Sequence, residues 1–418
     1  MGHMIADKEV EAYFHAEAKR QNEGIELIAS ENYPSADVRE ASSSIFMAKY
    51  AEGYPGHRYY GGCVNVDAVE EIAMERAQKL FHVAYVNVQP HSGSQANFAA
   101  YHALIKPGDK VLSLTLNDGG HLTHGSPVSF SAQTYRFAHY PIGDDGRLDY
   151  EIIANKLEEE MPDLFLAGYS AYPYAIDFKK MRELIDAHNA KHGTHCYFMV
   201  DMAHIAGIIA AGLCQNPCDY ADIVTTTTHK TLRGPRGGLI MTNREDLIKP
   251  IKSAVFPYTQ GGPLEHIIAA KAVNFLEDLQ PSFVSYMKQV LANTKAASDE
   301  LARKGCVVSG TENHLFLLNV LDSFGLTGLE AQSRLEEIGI TTNKNMIHGD
   351  TLKPNQTSGL RIGFAASTTR GCSKEQAIEI AGIIYDALSD KAFDSSKYTA
   401  KVASIVSTWK NVMNLHQL

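Results

Sequence analysis

The feature that most constrains the fold is an uninterrupted apolar run that ends in a carboxylate. Residues 196–200, Cys-Tyr-Phe-Met-Val, lead directly into Asp201 without any alternation of apolar and polar side chains. A strand with one face in water alternates, so this run predicts a strand buried on both faces, as in a parallel sheet. Open α/β sheets place their chemistry at the carboxyl ends of such strands. The run therefore predicts an α/β protein with Asp201 at the functional edge of its sheet.

A second strand is predicted directly before Lys230. Residues 223–228, Ile-Val followed by four threonines, are all β-branched and favour an extended strand, which the turn at Gly234-Pro235 ends. This pattern predicts Lys230 at a strand end, beside hydroxyl groups. Such a lysine can act as a Schiff-base nucleophile with a lowered pKa. For a lysine considered on its own, the alternative is a surface residue in a basic turn.

Asp201 and Lys230 together favour the first interpretation. A buried carboxylate is costly unless a cation or proton donor faces it. The pyridine nitrogen of pyridoxal phosphate is such a partner, and an aspartate that keeps it protonated makes the ring an electron sink. A reactive lysine and a buried aspartate at the ends of strands close in sequence therefore predict a pyridoxal 5'-phosphate site.

The start of a predicted helix supplies an anion site. The stretch from Val86 to Asn97 passes from an apolar segment into Ser92-Gly93-Ser94, which opens a helix running to Leu104. Free backbone N–H groups and serine hydroxyls at a helix N-terminus bind anions, so we assign the cofactor phosphate to these three residues. An ordinary serine N-cap would give the same pattern.

Several motifs in the same order resemble serine hydroxymethyltransferase. They are Lys49–Gly56 (KYAEGYPG), His91–Asn97 (HSGSQAN), Gly120–Gly125 (GHLTHG), Val200–His204 (VDMAH) and Thr225–Lys230 (TTTTHK), and the match extends from about Glu26 to Gly371. The resemblance implies an aspartate-aminotransferase-like (fold type I) protein: a large α/β domain with a mostly parallel sheet and a smaller C-terminal α+β domain. The expected divisions are an N-terminal helical arm over 1–30, a large domain over 31–280 and a small domain over 281–418.

The resemblance also assigns roles to residues. It implies catalytic roles for Lys230, Glu52, Asp201, His204, His121 and Tyr60, and cofactor contacts from Ser92, Gly93, Ser94, His121, Ser170, Asp201, His204, His229, Lys230, Tyr50, Gly261 and Gly262. The implied substrate-binding residues are Ser30, Glu52, Tyr60 and Arg361, and the implied folate-binding residues are Glu52, Tyr59, Leu116, Gly120, Leu122 and Asn345. Tyr50, Tyr60, Gly261 and Gly262 are expected to reach a neighbouring subunit's site, so a homodimer with shared sites is expected, with a tetramer as the alternative.

The implied reaction is reversible transfer of the serine hydroxymethyl carbon to tetrahydrofolate, giving glycine and 5,10-methylenetetrahydrofolate, within one-carbon metabolism and glycine biosynthesis. The segments 346–349 (Met-Ile-His-Gly) and 364–366 (Phe-Ala-Ala) depart from the family pattern, and the first is expected at the mouth of the folate site. The alternative is therefore a folate-independent aldolase or transaldolase of the same fold that acts on β-hydroxy amino acids.

Composition disfavours several other classes of protein. The net charge of −10 and the lack of a long basic run argue against a nucleic-acid binder, including a catalytically silent RNA-binding relative. No apolar run approaches the ~20 residues of a membrane helix, the start lacks a signal-peptide pattern, and the six cysteines are scattered, so a cytoplasmic protein is expected. His121 and His124 lie three residues apart without a third ligand in sequence, and His188, His192, His195, Cys214 and Cys218 lack a second cysteine pair, so no metal is expected.

Overall fold

The computed structural model describes residues 6–415 of the 418-residue chain. Residues 1–5 and 416–418 lie outside the described residues. The first of these segments contains the start of the predicted N-terminal arm and of the stretch that lacks a signal-peptide pattern. Among the described residues, none of the helices combines the length and the apolar composition needed to cross a membrane.

The strands of this region are short and alternate with helices through most of the chain. They are β1 (Ile25–Glu26), β2 (Gly53–Tyr54), β3 (His57–Arg58), β4 (Tyr85–Asn87), β5 (Lys110–Leu114), β6 (Arg136–Tyr140), β7 (Leu164–Ala167), β8 (Tyr197–Asp201), β9 (Ile223–Thr227), β10 (Gly238–Thr242), β11 (Val307–Val308), β12 (Leu315–Asn319), β13 (Ile340–Thr341), β14 (Asn343–Asn345) and β15 (Gly359–Gly363).

The helices cover both faces of the large sheet and pack on the C-terminal sheet. They are α1 (Lys8–Glu23), α2 (Ala36–Ser42), α3 (Val64–Phe81), α4 (Gly93–Leu104), α5 (Phe130–Thr134), α6 (Tyr150–Glu160), α7 (Phe178–His192), α8 (Ala206–Ala210), α9 (Glu245–Ser253), α10 (Glu265–Asp278), α11 (Pro281–Arg303), α12 (Val320–Phe324), α13 (Gly328–Glu337), α14 (Ala365–Arg370), α15 (Lys374–Ser389) and α16 (Ser396–Val406).

The large sheet has seven strands in the order β4-β10-β9-β8-β7-β5-β6. The run from β9 to β6 is parallel throughout, and only β10 runs against its two neighbours. Strand β8 is buried on both faces: Phe198 and Val200 pack in one hydrophobic cluster and Met199 in the cluster on the other face. This confirms the prediction drawn from the unbroken apolar run.

A second, antiparallel sheet follows in the C-terminal part, in the order β11-β12-β15-β14. Its hydrophobic cluster includes Phe316 and Leu360 and also Ile25 and Leu27, because β1 pairs with β13 of this part. The predicted fold class, a mostly parallel α/β sheet with a smaller C-terminal α+β unit, is confirmed. The boundaries at residues 30 and 280 stay predictions.

Candidate active site

A cavity of about 240 Å³ lies at the carboxyl ends of β8 and β9, beside the N-terminus of α4. This is the edge at which parallel sheets present their loops to ligands. The predicted residues that line it are Ser92, Gly93, Ser94, His121, Ser170, Asp201, His204, His229 and Lys230. The fold therefore brings together side chains from five separate sequence segments in one space.

Lys230 reaches this cavity from the loop after β9. Its Nζ donates to Thr227 Oγ1 at 3.1 Å, on the last residue of the strand. Burial lowers the pKa of Lys230 to about 8; the charge of Asp201 opposes this shift, and those of Arg361 and Arg236 add to it. A lysine with this pKa carries an appreciable neutral fraction near neutral pH, which is the form that attacks a carbonyl carbon.

Asp201 ends β8 and is held by three hydrogen bonds. Its Oδ2 accepts from Asn97 Nδ2 at 2.8 Å and lies 3.2 Å from His124 Nε2, while its Oδ1 accepts from the Ala203 N–H at 3.1 Å. Burial alone would raise the pKa of Asp201, but the hydrogen bond and charge of His124, the charge of His121 and the hydrogen bond from Asn97 bring it well below its usual range. The cavity therefore contains a permanent negative charge that can face a protonated nitrogen.

The opposite end of the cavity is suited to an anion. Ser92 caps α4, since its Oγ accepts from the Gln95 N–H at 3.2 Å, and the first N–H groups of the helix have no helical acceptor. A Cβ on Gly93 would lie 2.6 Å from Thr227 Cγ2, so the close approach of the helix to β9 requires glycine. Arg236 lines the same cavity and adds a positive charge.

Two of the histidines in the wall have low proton affinity. His121 Nδ1 accepts from the Thr123 N–H at 3.1 Å, and burial, aided by the charge of His124, lowers the pKa of His121 to about 4. Burial lowers the pKa of His229 to about 3, and Lys230 and Arg236 add to this shift. Both rings are therefore neutral at physiological pH, so His121 can pack on a flat ligand without repelling a cation.

Arg361 is a buried cation whose hydrogen bonds in the described part of the chain go to uncharged oxygen atoms. Its Nη1 donates to the Ser170 carbonyl at 2.8 Å and its Nη2 to Ser30 Oγ at 3.2 Å, while its Nε is buried without a partner. Burial lowers the pKa of Arg361 to about 10, which still leaves it charged at pH 7. A buried, incompletely paired guanidinium beside a cavity fits a ligand carboxylate.

Five other predicted residues form a second cluster, which we call the tyrosine patch: Tyr50, Glu52, Tyr60, Gly261 and Gly262. The Tyr50 and Tyr60 ring centroids lie 5.1 Å apart, and both rings are largely exposed. A Cβ on Gly261 would lie 3.2 Å from Glu52 Oε1, and one on Gly262 equally close to the Tyr50 ring. None of the five lines the cavity around Lys230.

Five of the six predicted folate residues lie on two segments and on an exposed ring, and the sixth, Glu52, belongs to the tyrosine patch. Leu116, Gly120 and Leu122 belong to the loop after β5, and Asn345 ends β14, opposite Gly359 in the strand of Arg361. A Cβ on Gly120 would lie 2.8 Å from the Leu114 carbonyl, so this loop folds tightly against its own strand. Tyr59 is 77% exposed and packs only at 5.6 Å from the Phe256 ring.

Two groups of potential metal ligands occur in the described residues. His121, His124 and Asp201 belong to the cavity, and Glu158, His188 and His192 lie between α6 and α7. In the second group the carboxylate already bonds both histidines and also Lys191, whose ammonium neutralises it. The expectation of no metal stays a prediction.

Comparison with known protein families identifies the family of this chain. The family model for serine hydroxymethyltransferase matches residues 4–384 of the 418-residue chain. The chain belongs to the serine hydroxymethyltransferase family. The resemblance seen in the separate motifs is thereby confirmed, and the family implies a pyridoxal-phosphate-dependent transferase of fold type I.

The residues present fit the cofactor of the serine hydroxymethyltransferase family. Lys230 can bind an aldehyde carbon, Asp201 can pair with a protonated ring nitrogen, and the α4 N-terminus with Arg236 can hold a phosphate. The buried His229 Nδ1, which has no partner among the described residues, is one further group that a ligand can satisfy. The chemistry of this donor set fits the aldehyde, the ring nitrogen and the phosphate of pyridoxal phosphate.

Sequence inspection missed several residues of this family site. Asn97 and His124 hold Asp201, Thr227 receives the Lys230 hydrogen bond, and Arg236 lines the anion end. Asn97 is fixed in turn by Thr225, whose Oγ1 donates to the side-chain Oδ1 of Asn97 at 2.6 Å. Asn97, His124 and Thr227 lie inside recognised motifs and Arg236 follows one of them closely, but only the fold assigns their partners.

The depressed pKa of Lys230 predicts a stability effect with a definite sign. A lysine in the unfolded chain titrates near 10.4, so between pH 8 and pH 10 the unfolded state binds more protons and stability rises with pH. We expect Lys230→Met to raise the melting temperature of cofactor-free protein at pH 7 by about 1–3 °C, and this gain to shrink by pH 9. Lys249→Met, at an exposed site on α9, is the control. Equal melting temperatures for Lys230→Met and wild type at pH 7 would contradict the assignment.

Proposed function

We propose that this chain is a glycine hydroxymethyltransferase, which reversibly transfers the hydroxymethyl carbon of serine to tetrahydrofolate and yields glycine and 5,10-methylenetetrahydrofolate. The observation that carries this proposal is the convergence of Lys230, Asp201 and the incompletely paired Arg361 on one site. Family membership supports the same class of reaction.

Each side chain has a role that follows from its environment. When bound, pyridoxal phosphate supplies an electron sink for the bond that breaks at the amino acid Cα. Lys230 supplies the amine that holds the cofactor aldehyde and yields it to the substrate amine. Asp201 keeps the facing nitrogen protonated, because its own pKa stays low, and His121 packs as a neutral ring.

Arg361 and Ser30 form the proposed carboxylate site for serine. Their side chains are already hydrogen-bonded to one another at 3.2 Å, so the guanidinium is oriented before the substrate arrives. Preorganisation of this kind reduces the entropy lost on binding.

The tyrosine patch supports a shared active site. Glu52, the proposed proton-transfer carboxylate, belongs to this patch and does not line the cavity of its own chain. We propose that in a homodimer the patch of one chain completes the cavity of its partner, bringing Glu52, Tyr50 and Tyr60 to the substrate.

We also propose domain boundaries at residues 30 and 280 and a cytoplasmic location for this protein.

The second candidate function is the folate-independent aldolase. One observation favours it: His348, in the segment that departs from the family pattern, lies with its Nδ1 2.7 Å from Asp118 Oδ1. Asp118 lies between Leu116 and Gly120, both proposed folate contacts. This contact connects the altered segment to the proposed folate loop. It can therefore affect whether folate enters the proposed folate site.

Glu52→Gln tests the proton-transfer role. We expect folate-dependent serine cleavage to fall by about 10²-fold, since a positioned general acid or base contributes 10²–10⁴. Cofactor affinity should stay within twofold of wild type, because the proposed contacts of Glu52 are to the substrate and the groups that fit the cofactor belong to other residues. The measurements are steady-state turnover and cofactor titration. Glu40→Gln, at an exposed position on α2, is the matched control, and equal turnover in both variants would refute the role.

The reaction itself is tested by following glycine on the cofactor-loaded protein. Exchange of the glycine α-proton with deuterated water, measured by proton NMR, should be slow alone and accelerate strongly when tetrahydrofolate is added. A long-wavelength absorption band that grows with folate should accompany it. Exchange that ignores folate, together with cleavage of threonine-like substrates, would support the aldolase instead.

A further inference from the structure

Two buried imidazoles, those of His204 and His314, lead from the cavity wall into the protein interior. His204 Nδ1 lies 3.2 Å from His314 Nε2, and the ring planes meet at 34°. His204 lines the cavity at 6% exposure, whereas His314 is fully buried and begins the segment leading into β12. The pair therefore connects the cofactor cavity to the C-terminal sheet.

Both rings are neutral. Burial lowers the pKa of His314 to about 3, and the charges of Arg361 and Lys230 add to this shift. Burial, with the same two charges, also brings the pKa of His204 well below its ordinary value. A hydrogen bond between two neutral imidazoles contains one proton, so one ring donates and the other accepts.

The second nitrogen of His314 decides which ring donates. His314 Nδ1 is buried and has no hydrogen-bond partner among the described residues. If His204 donated, the proton of neutral His314 would sit on Nδ1 as a buried N–H without an acceptor, and such orphaned donors are rare in folded proteins. If His314 donates from Nε2, its Nδ1 is an unprotonated lone pair, and no N–H is orphaned.

We propose that His314 is a positioning residue that donates from Nε2 to His204 Nδ1 and thereby makes His204 a hydrogen-bond donor, through Nε2–H, to an anionic oxygen held in the cavity. The tautomer follows from this chain's own contacts. Only the identity of the oxygen, the phenolic oxygen of pyridoxal phosphate, rests on the proposed function.

The backbone around His314 is fixed well enough for this role. Thr294 Oγ1, on α11, donates to the His314 carbonyl at 3.3 Å, and a Cβ on Gly363 would lie 2.9 Å from the same oxygen. Strand β15, which contains Arg361, therefore packs directly against the residue that orients His204. Strand β15 therefore supports both His204, the proposed donor to the cofactor, and Arg361, the proposed cation for the substrate carboxylate.

The test is the tautomer of His204, measured by NMR on protein labelled with ¹⁵N-histidine, with His204→Asn used to assign its signals. We expect an Nε2–H tautomer in wild type, with and without cofactor. His314→Phe should populate the Nδ1–H form and weaken cofactor binding about tenfold, as for one lost hydrogen bond. His314→Gln, whose amide can donate to Nδ1, should restore both properties.

His102→Phe, which removes a histidine stacked on Tyr258, is the control and should leave the His204 signals unchanged. An Nδ1–H tautomer in wild type would overturn the proposal even if the phenylalanine variant fails to fold, as would an unchanged tautomer in a folded His314→Phe. The measurement uses no substrate, so failure of the folate reaction would leave its outcome interpretable.

Discussion

Replacing Lys230 with alanine is expected to abolish covalent attachment of the cofactor and to reduce turnover by about 10³-fold or more, as for loss of a nucleophile. The lysine is the amine whose lowered pKa suits it to bind an aldehyde carbon at this cavity. Borohydride reduction followed by intact-mass measurement should add one cofactor to the wild-type chain and none to the variant.

The control for Lys230→Ala is Lys249→Ala, because Lys249 is exposed on α9 and does not line the cavity. It should retain both the mass increase and turnover. The anion end of the cavity remains in Lys230→Ala, so this variant should still bind cofactor without a covalent bond. Full turnover in Lys230→Ala, or a mass increase after reduction, would disprove the assignment.

Replacing Arg361 with alanine is expected to raise KM for serine by about 10²-fold, because removing one partner of a buried charge pair costs 2–5 kcal/mol. Arg361 is 8% exposed, and among the described residues its guanidinium donates to the Ser170 carbonyl and to Ser30 Oγ, neither of which is acidic. Arg361→Lys should recover only part of this loss, since an ammonium cannot reproduce the planar, two-pronged contact with a carboxylate.

Steady-state kinetics with serine, together with cofactor titration, separate substrate binding from cofactor binding in the Arg361 variants. Cofactor affinity should change little, because Arg361 does not line the cofactor cavity. Arg303→Ala, at an exposed position near the end of α11, controls for the loss of a positive charge. An unchanged KM for serine in folded Arg361→Ala would contradict the proposed role of Arg361 in binding the substrate carboxylate.

Local patterns predicted the elements of the fold well where the local signal was strong. The apolar run before Asp201 became β8, and the β-branched run before Lys230 became β9, whose last residue lies three positions before the lysine. Arg361 is the only charged residue in the otherwise apolar strand β15, and the structure buries it there. These signals are short-range, because burial on both faces and strand propensity are written into consecutive residues.

The identity of each partner was beyond local inspection. Asn97 and Asp201 bond across 104 residues of sequence, and His204 and His314 across 110. Asn97 lies one turn inside α4 and has no polar pattern that marks it. Its role exists only because α4 packs its N-terminal turns against β8 and β9.

The separation of the predicted site into two places is likewise a tertiary result. Lys230, Asp201 and most of the predicted cofactor residues line one cavity at the edge of the large sheet, whereas Glu52 and its neighbouring tyrosines form a partly exposed patch with Gly261 and Gly262. The resemblance already implied that Tyr50, Tyr60, Gly261 and Gly262 reach a neighbouring subunit's site, but the position of Glu52 beside Gly261 came only from the fold. The exposed rings are what motivates the shared-site dimer as a proposal.

By itself the sequence determined the fold class, the position of Asp201 at the end of β8, a strand that ends three residues before Lys230, and membership in the serine hydroxymethyltransferase family. Only the tertiary structure decided which groups hold those residues, how far each pKa moves and which proton His204 presents to the cavity. The reason is physical: strand propensity and apolar periodicity depend on neighbours along the chain, whereas burial, charge and hydrogen bonding depend on neighbours in space.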